Sequence, residues 1–337
     1  MSDKNEEQEQ ILKNYVNSTE SVNAPVNAPV NAPVNAPVNA PVIEQVGPKI
    51  TDTKDTPLPW EKQTPAFGNL IGWIPIKLED LPTRGLFYPK ETKMLIRSAN
   101  GGEIRHWSTL SEDPTNINYY SQLDDMLNYI IERCVTFKSN DINISWKDIK
   151  EVDRFYILLA IHELTFPEGE NKLQVKVSED KKIDVIKDMV HYITLDPKLM
   201  QYYDEIERCF VLKFKGGKTI KLDLPCVGVT QFIKNYIQRK RAQEEYFEED
   251  YVTYAPFIIR SWRGLNDSLY NNYVQESHSW DNKTISLLAY FKQTFSDAID
   301  PVIRYTDEGG MEQVAPLNFQ GGIKSIFLIS DPFGELE

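Results

Sequence analysis

The sequence predicts an α+β fold: a small N-terminal β element packed on a helical core, a β-hairpin, and an aromatic-rich C-terminal extension. Three observations predict it. Apolar residues recur at helical spacing in 121–137, and the run Phe155-Tyr156-Ile157-Leu158-Leu159-Ala160-Ile161 is apolar on nearly every side, as in an amphipathic helix followed by a buried one. Phe210, Leu212 and Phe214, then Ile220, Leu222 and Leu224, alternate with other residues on either side of Gly216-Gly217, the period-two pattern of a hairpin. Tryptophan and tyrosine crowd the last third of the chain.

Residues 1–65 are expected to be a disordered tail. Five copies of Asn-Ala-Pro-Val fill 23–42. A proline at every fourth position removes one backbone donor in four and fixes φ, so neither helix nor central strand forms. The repeat reads as a solvated, polyproline-II-like tether, spanning roughly 60 Å at about 3.1 Å per residue. It is either a spacer or a peptide laid in a partner's groove. A short helix around Ile11, Leu12 and Tyr15 is expected only transiently or against a partner.

An α+β domain is predicted over 66–255. Trp73, Ile74 and Ile76 lead into the turn Leu81-Pro82-Thr83-Arg84-Gly85-Leu86-Phe87-Tyr88-Pro89. Pro82 sets φ there, Gly85 permits a positive φ, and Leu86-Phe87-Tyr88 pin the turn to the core. Met94-Leu95-Ile96 reads as a strand, Asn100-Gly101-Gly102 as a loop, and 104–107 as another short strand. In 121–137, Leu123, Met126, Leu127, Ile130, Ile131 and Cys134 form the apolar stripe. Ser121 is the expected N-cap, with Asp124 near the helix's positive end. The buried helix is predicted to start at Ser145, with Asp148 three residues on, and to stop at Pro167 and Gly169. Residues 173–193 fit strand and helix alike. In the hairpin, a three-residue loop over 216–218 pairs Phe214 with Ile220 and puts both apolar sets on one face. A helix from about Thr230 buries Phe232, Ile233, Tyr236 and Ile237, and its second half is polar: Arg239, Lys240, Arg241, then Glu244, Glu245, Glu248, Glu249 and Asp250. The region 256–337 holds a helix over 285–300, with Ile285, Leu288, Phe295 and Ile299 on one face, and strands at 302–305 and 323–329.

Composition narrows the function. A net charge of -13 disfavours broad attraction to nucleic acid or anionic lipid, while permitting a local basic patch. Cys134, Cys209 and Cys226 contain no CxxC pair. They are expected as small core residues in a reducing cytosol, not as a disulfide scaffold or a zinc knuckle. The acidic first twenty residues lack an apolar stretch, and no run of about 18 apolar residues occurs, so neither a secretory signal nor a spanning helix is expected.

Catalytic motifs fail one by one. Gly217-Lys218-Thr219 resembles the end of a P-loop, but the position of the first glycine is Leu212, inside a predicted strand. His106, His162, His191 and His278 show no metal-ligand spacing, and His162 reads as a hydrogen-bonded core residue. No GxSxG occurs, and no cysteine has a catalytic neighbourhood. No catalytic, cofactor-binding or metal residue is predicted. The candidate site residues are for partners. Arg84 is the exposed charge of the opening turn. Arg239, Lys240 and Arg241, with Lys234, face Glu244 and Glu245 as two poles of one helix, which can orient subunits. Trp262 and Trp280 stand among aromatics beside Arg260 and Arg263, a favoured interface composition. The acidic stretch reads as a solvated helix end or a patch for a basic partner. The aromatics read as core or as a surface ordered by partners, and their weak regular pattern favours the surface.

Leu81-Pro82-Thr83-Arg84-Gly85-Leu86-Phe87-Tyr88-Pro89 resembles the opening "L-P-S/T-K/R-G-x-x-Y-P" motif of a baseplate hub family from T-even-like contractile-tailed phages. Three further pieces follow in the family's order: Met94-Leu95-Ile96-Arg97; the helix end Ile130-Ile131-Glu132-Arg133-Cys134-Val135; and Asp153-Arg154-Phe155-Tyr156-Ile157-Leu158-Leu159-Ala160-Ile161. The family's arginine after that helix is replaced by His162-Glu163, and its Tyr-Gly by Phe166-Pro167-Glu168-Gly169. The resemblance covers roughly 73–170 and extends toward 250. It implies a structural or assembly component of a phage baseplate or tail hub, with no catalysis and no cofactor. The implied partners are other baseplate and tail hub proteins within a symmetric multi-subunit assembly, without direct nucleic-acid contact or membrane insertion. The implied location is the virion tail baseplate, and the host cytoplasm during assembly. A transient assembly chaperone absent from the virion is the alternative, and an enzyme with an unrecognised site is a second.

Overall fold

A computed structural model of the chain describes residues 72–110, 119–139, 144–167, 171–178, 181–190, 197–214, 217, 219–299, 302–319 and 321–328. The tether and the short helix expected within 1–65 lie outside the described residues. The fold is α+β.

Strands β1 (Ile74–Ile76), β2 (Lys93–Ile96) and β3 (Val135–Lys138) form an antiparallel sheet in that order. Between β2 and β3 run α1 (Gly101–Ser108) and α2 (Tyr119–Cys134). Helix α1 replaces the expected loop at 100–102 and strand at 104–107. Its cause is a capping box: the Asn100 side chain accepts from the amides of Gly102 and Glu103, while Glu103 accepts from the amide of Asn100. Ser121 lies inside α2 and is not its N-cap. Helix α2 ends at Cys134, and the last residues expected in it, 135–137, belong to β3.

Ser145 is a cap, but of a 3-10 turn, Trp146–Asp148. The buried helix, α3 (Arg154–Thr165), starts nine residues later than Ser145 and ends just before Pro167. The delay has a backbone cause. Lys150 bridges Cys226, Glu151 N donates to Pro225 O at 2.9 Å, and Ile149 O accepts from Val227 N at 2.9 Å. Those groups are spent on another segment and cannot enter a helical ladder. From Tyr156 to His162 every side chain of α3 is buried.

In the ambiguous stretch 173–193, β4 (Gln174–Lys176) pairs antiparallel with β5 (Lys182–Asp184) and a 3-10 turn, Lys187–Met189, follows; residues 179–180 and 191–193 lie outside the described residues. After the short α4 (Pro197–Met200), β6 (Tyr203–Asp204), β7 (Cys209–Lys213) and β8 (Thr219–Leu222) form a second three-stranded sheet. In it Leu212 faces Ile220 and Phe210 faces Leu222. The expected pairing of Phe214 with Ile220 is off by two residues. A two-residue shift preserves the face, so Phe210, Leu212, Ile220, Leu222 and Leu224 remain buried, with Phe214 half-buried.

The helices α5 (Val227–Ala242), α6 (Glu249–Ile258), α7 (Asp267–Ser277) and α8 (Asn282–Ile299) follow, then the hairpin β9 (Val302–Thr306) and β10 (Glu312–Pro316). The boundary expected at 255 falls within α6. The strand expected at 323–329 includes a 3-10 turn, Ile323–Ile326. On α8, Leu288, Phe291 and Phe295 are buried, while Ile285 is exposed rather than on the core face.

Helix α5 begins before Thr230, because Val227, Gly228 and Val229 are buried. It also stops early. Glu244 has φ +53°, Glu244 N donates to Arg241 O at 3.1 Å, and Glu245 N donates to Lys240 O at 2.9 Å. This is a Schellman ending, built with glutamate where glycine is usual. The acidic residues therefore leave the helix axis, and the two-pole helix expected from the sequence does not form. Glu244→Gly is expected to raise stability by about 1 kcal/mol, since glycine adopts a left-handed φ without the Cβ clash. A thermal melt checks it; an unchanged or lowered melting temperature contradicts it.

Three apolar clusters hold the chain. The first gathers Leu81, Tyr88, Met94, Trp107, the buried faces of α2 and α3, and Ile303, Ile326 and Phe327. The second centres on Phe210 and joins Leu222, Phe257 and α8 to Phe87. The third packs α5, α6 and α7 through Ile233, Tyr236, Tyr251 and Tyr270. Tyr251, Phe257, Tyr270 and Phe291 are thus core residues, which corrects the expectation of a partner-ordered aromatic surface for these four. Their regularity is invisible in the sequence because each helix contributes only one or two rings to a shared cluster.

Candidate partner-binding groove

The opening turn joins two cores. Leu81 and Tyr88 enter the first cluster, while Phe87, one residue from Tyr88, enters the second. The turn is fixed by Asp153, which has no exposed surface. Thr83 N donates to Asp153 Oδ1 at 2.9 Å, Thr83 Oγ1 to Oδ2 at 2.8 Å, and the Tyr88 hydroxyl to Oδ2 at 2.7 Å. The same hydroxyl accepts from Lys150 N at 3.1 Å. Burial pushes the Asp153 carboxyl up to about 6, against the pull of these donors and of Lys150. Burial likewise pushes the Tyr88 hydroxyl well above its ordinary value.

Gly85 completes the turn at φ +72°, and a Cβ there would lie 2.8 Å from the Leu78 Cβ. Gly85→Ala is therefore expected to cost about 2 kcal/mol or more, from left-handed strain plus a clash between close-packed segments. Urea unfolding reads this directly, and a loss under half that size would show the turn can relax.

Charge pairs tie the surrounding elements together. Lys150 Nζ lies 2.8 Å from Asp223 Oδ1, with both side chains under a tenth exposed. Arg154 bonds Glu151 at 2.6 Å, Asp124 at 2.8 Å and Asn128 at 3.1 Å. Lys234 reaches Asp124 and Asp125 from α5, and Thr230 donates to Glu151.

Beside the turn lies an open groove of about 760 Å³. Six cations line it: Lys77, Arg84, Lys90, Lys93, Lys138 and Arg208; they face two acids, Glu79 and Glu91. On a chain of net charge -13 this is a local reversal of sign. The four lysines are exposed and pair with no carboxylate among the described residues. Lys93 and Lys138 stand directly opposite in the β2–β3 register, an arrangement of like charges that weakens a sheet. Among the described residues, four non-glycine residues have positive φ, and three of them, Arg84, Glu91 and Arg208, line this groove. Backbone strain of this kind gathers at sites with a task. A second cavity, of about 290 Å³, shares Tyr88, Pro89 and Arg208 with the groove and has the Lys150–Asp223 pair in its wall.

Of the residues singled out in the sequence, Arg84 lies in the groove, exposed and in a left-handed conformation. The other seven are not among its lining. Arg239 pairs with Asp267 at 2.6 Å, Lys240 with Glu245, and Arg241 lies over the Phe247 ring at 5.7 Å. Glu244 is the left-handed residue of the α5 ending. Trp262 presses on the backbone of Gly228, donates to Asp148 at 3.1 Å and carries Arg263 at 4.7 Å. Trp280 packs on Tyr251 at 5.9 Å. The groove lysines carry no sequence signal as a set, because three separate stretches supply them: Lys77, then Lys90 and Lys93, then Lys138. Only the alignment of β2 with β3 brings Lys93 against Lys138.

Among the described residues no group of three His, Cys, Asp or Glu is placed to hold a metal, and no helix is long and apolar enough to cross a membrane. Burial drives His162 down to about 4, so it is neutral, and its Nε2 has no hydrogen-bond partner. Set against family models, curated proteins and solved structures, the chain matches none of them.

Proposed function

We propose that the protein is a non-enzymatic structural or assembly component of a contractile-tail phage baseplate or hub, and that it acts by binding neighbouring tail subunits. One observation carries the reading. Thr83 and Tyr88 from the opening motif and Asp153 from the later one converge in a single buried hydrogen-bonded cluster. The sequence pieces that bear the resemblance are therefore one architectural unit, and the groove built on that unit has surface lysines with no carboxylate partner among the described residues. Proteins of this kind work by presenting fixed surfaces, and Arg84 is the motif's exposed contribution to such a surface.

Mass spectrometry of purified contractile-tailed particles produced with this gene tests the proposal. Stoichiometric peptides of the chain identify a structural subunit. Peptides in baseplate intermediates but not in mature particles identify an assembly factor. Their absence from both refutes the reading.

A further inference from the structure

The loop between α5 and α6 is the electrostatic opposite of the groove. Glu244, Glu245 and Glu248 occupy it, Glu249 and Asp250 form the first turn of α6 beside it, and residues 245–250 enclose a concavity of about 450 Å³. Tyr246 stands out of it, 80% exposed. An exposed aromatic ringed by charge is an interface composition. Among the ion pairs of the described residues, Glu245 pairs with Lys240, and Glu248 lies 3.4 Å from the His278 ring.

We propose that the basic groove of one copy receives the acidic α5–α6 loop of a second copy. The argument is complementarity within one sequence. Four lysines without carboxylate partners line the groove. Five carboxylates sit on the loop and the first turn of α6 that follows it. The like-charged Lys93–Lys138 pair is relieved when carboxylates approach it. After a first contact one copy keeps a free groove and the other a free loop; these two meet in a closed twofold pair, or they bind further copies in a ring or filament. Nucleic acid is the competing occupant of a lysine groove, but the negative field of the whole chain opposes it.

The proposal names one of the partners that the reading above leaves open, and rests on that reading for its setting. Sedimentation velocity on the full chain tests it, at about 50 mM and about 500 mM salt. Association is expected at low salt and its loss at high salt. Lys93→Glu/Lys138→Glu and Glu248→Lys/Glu249→Lys should each weaken association on the order of ten- to hundredfold. An equimolar mixture of the two double variants should associate again, because each supplies the surface that the other has inverted. Circular dichroism confirms that both variants fold. A monomer under all conditions overturns the inference, as does association that neither variant weakens. Binding of a short duplex oligonucleotide, lost in Lys93→Glu/Lys138→Glu, also overturns it. A monomer would leave the particle mass spectrometry to decide the baseplate reading separately.

Discussion

Replacing Lys150 with methionine is expected to destabilise the fold by about 3–5 kcal/mol, among the largest effects of any single substitution in this chain. Methionine fills most of the same space. It removes the cation 2.8 Å from Asp223 and the donor 3.3 Å from Leu224 O. A carboxylate under a tenth exposed is then left without its counter-charge. Lys150→Met/Asp223→Leu removes both charges, and its cost should fall to about 1–2 kcal/mol, since the chief remaining loss is the acceptor for Leu224 N. Urea melts of wild type, both single variants and the double variant close the cycle. A double-variant loss equal to the sum of the two single losses would show that the pair contributes no coupling.

Asp153→Ala is expected to cost about 3–5 kcal/mol, because it orphans the Thr83 amide, the Thr83 hydroxyl and the Tyr88 hydroxyl in a site closed to water. Asp153 also has a pH signature. Its carboxyl ionises near 4 in an unfolded chain and at about 6 in the fold, where burial dominates. The folded state therefore holds a proton that the unfolded chain has released. The contribution is fully present below about pH 4 and is lost as pH rises through 6, a change on the order of 3 kcal/mol. Asp153→Asn removes that ionisation while keeping the shape. The stability difference between wild type and Asp153→Asn should thus shift against wild type between pH 4 and pH 6.5 or so. A difference that stays flat across this window would mean that Asp153 remains ionised throughout.

What the chain discloses before folding depends on the range of the interaction. Helix α3 is legible because seven consecutive apolar residues fit no half-exposed element. The face of β7 and β8 is legible because alternation fixes parity, but their register is set elsewhere and differs by two residues. Helix α1 is hidden because Asn100-Gly101-Gly102 looks like a turn; the deciding contact is the reach of Glu103 back to the Asn100 amide. The end of α5 is hidden for a related reason: a glutamate, not a glycine, takes the left-handed position. At the candidate site, the order of motifs pointed to the turn and to Asp153 separately, and only the tertiary fold shows that one side chain grips the other. The groove was not legible beyond Arg84, since only the fold brings Lys138 and Arg208 to the cations of 77–93.

The last described residues have a consequence for biosynthesis. Trp107 Nε1 donates to Lys324 O at 2.8 Å, and the Phe327 ring packs on Trp107 and lies near His162, fully enclosed. A ribosome making α1 and α3 must add roughly 160 further residues before that plug exists, a wait of roughly 8–30 s at about 5–20 residues per second. Throughout that interval the nascent first core has an open socket around a tryptophan. A holdase able to cover an indole for some seconds would be the natural companion of its synthesis.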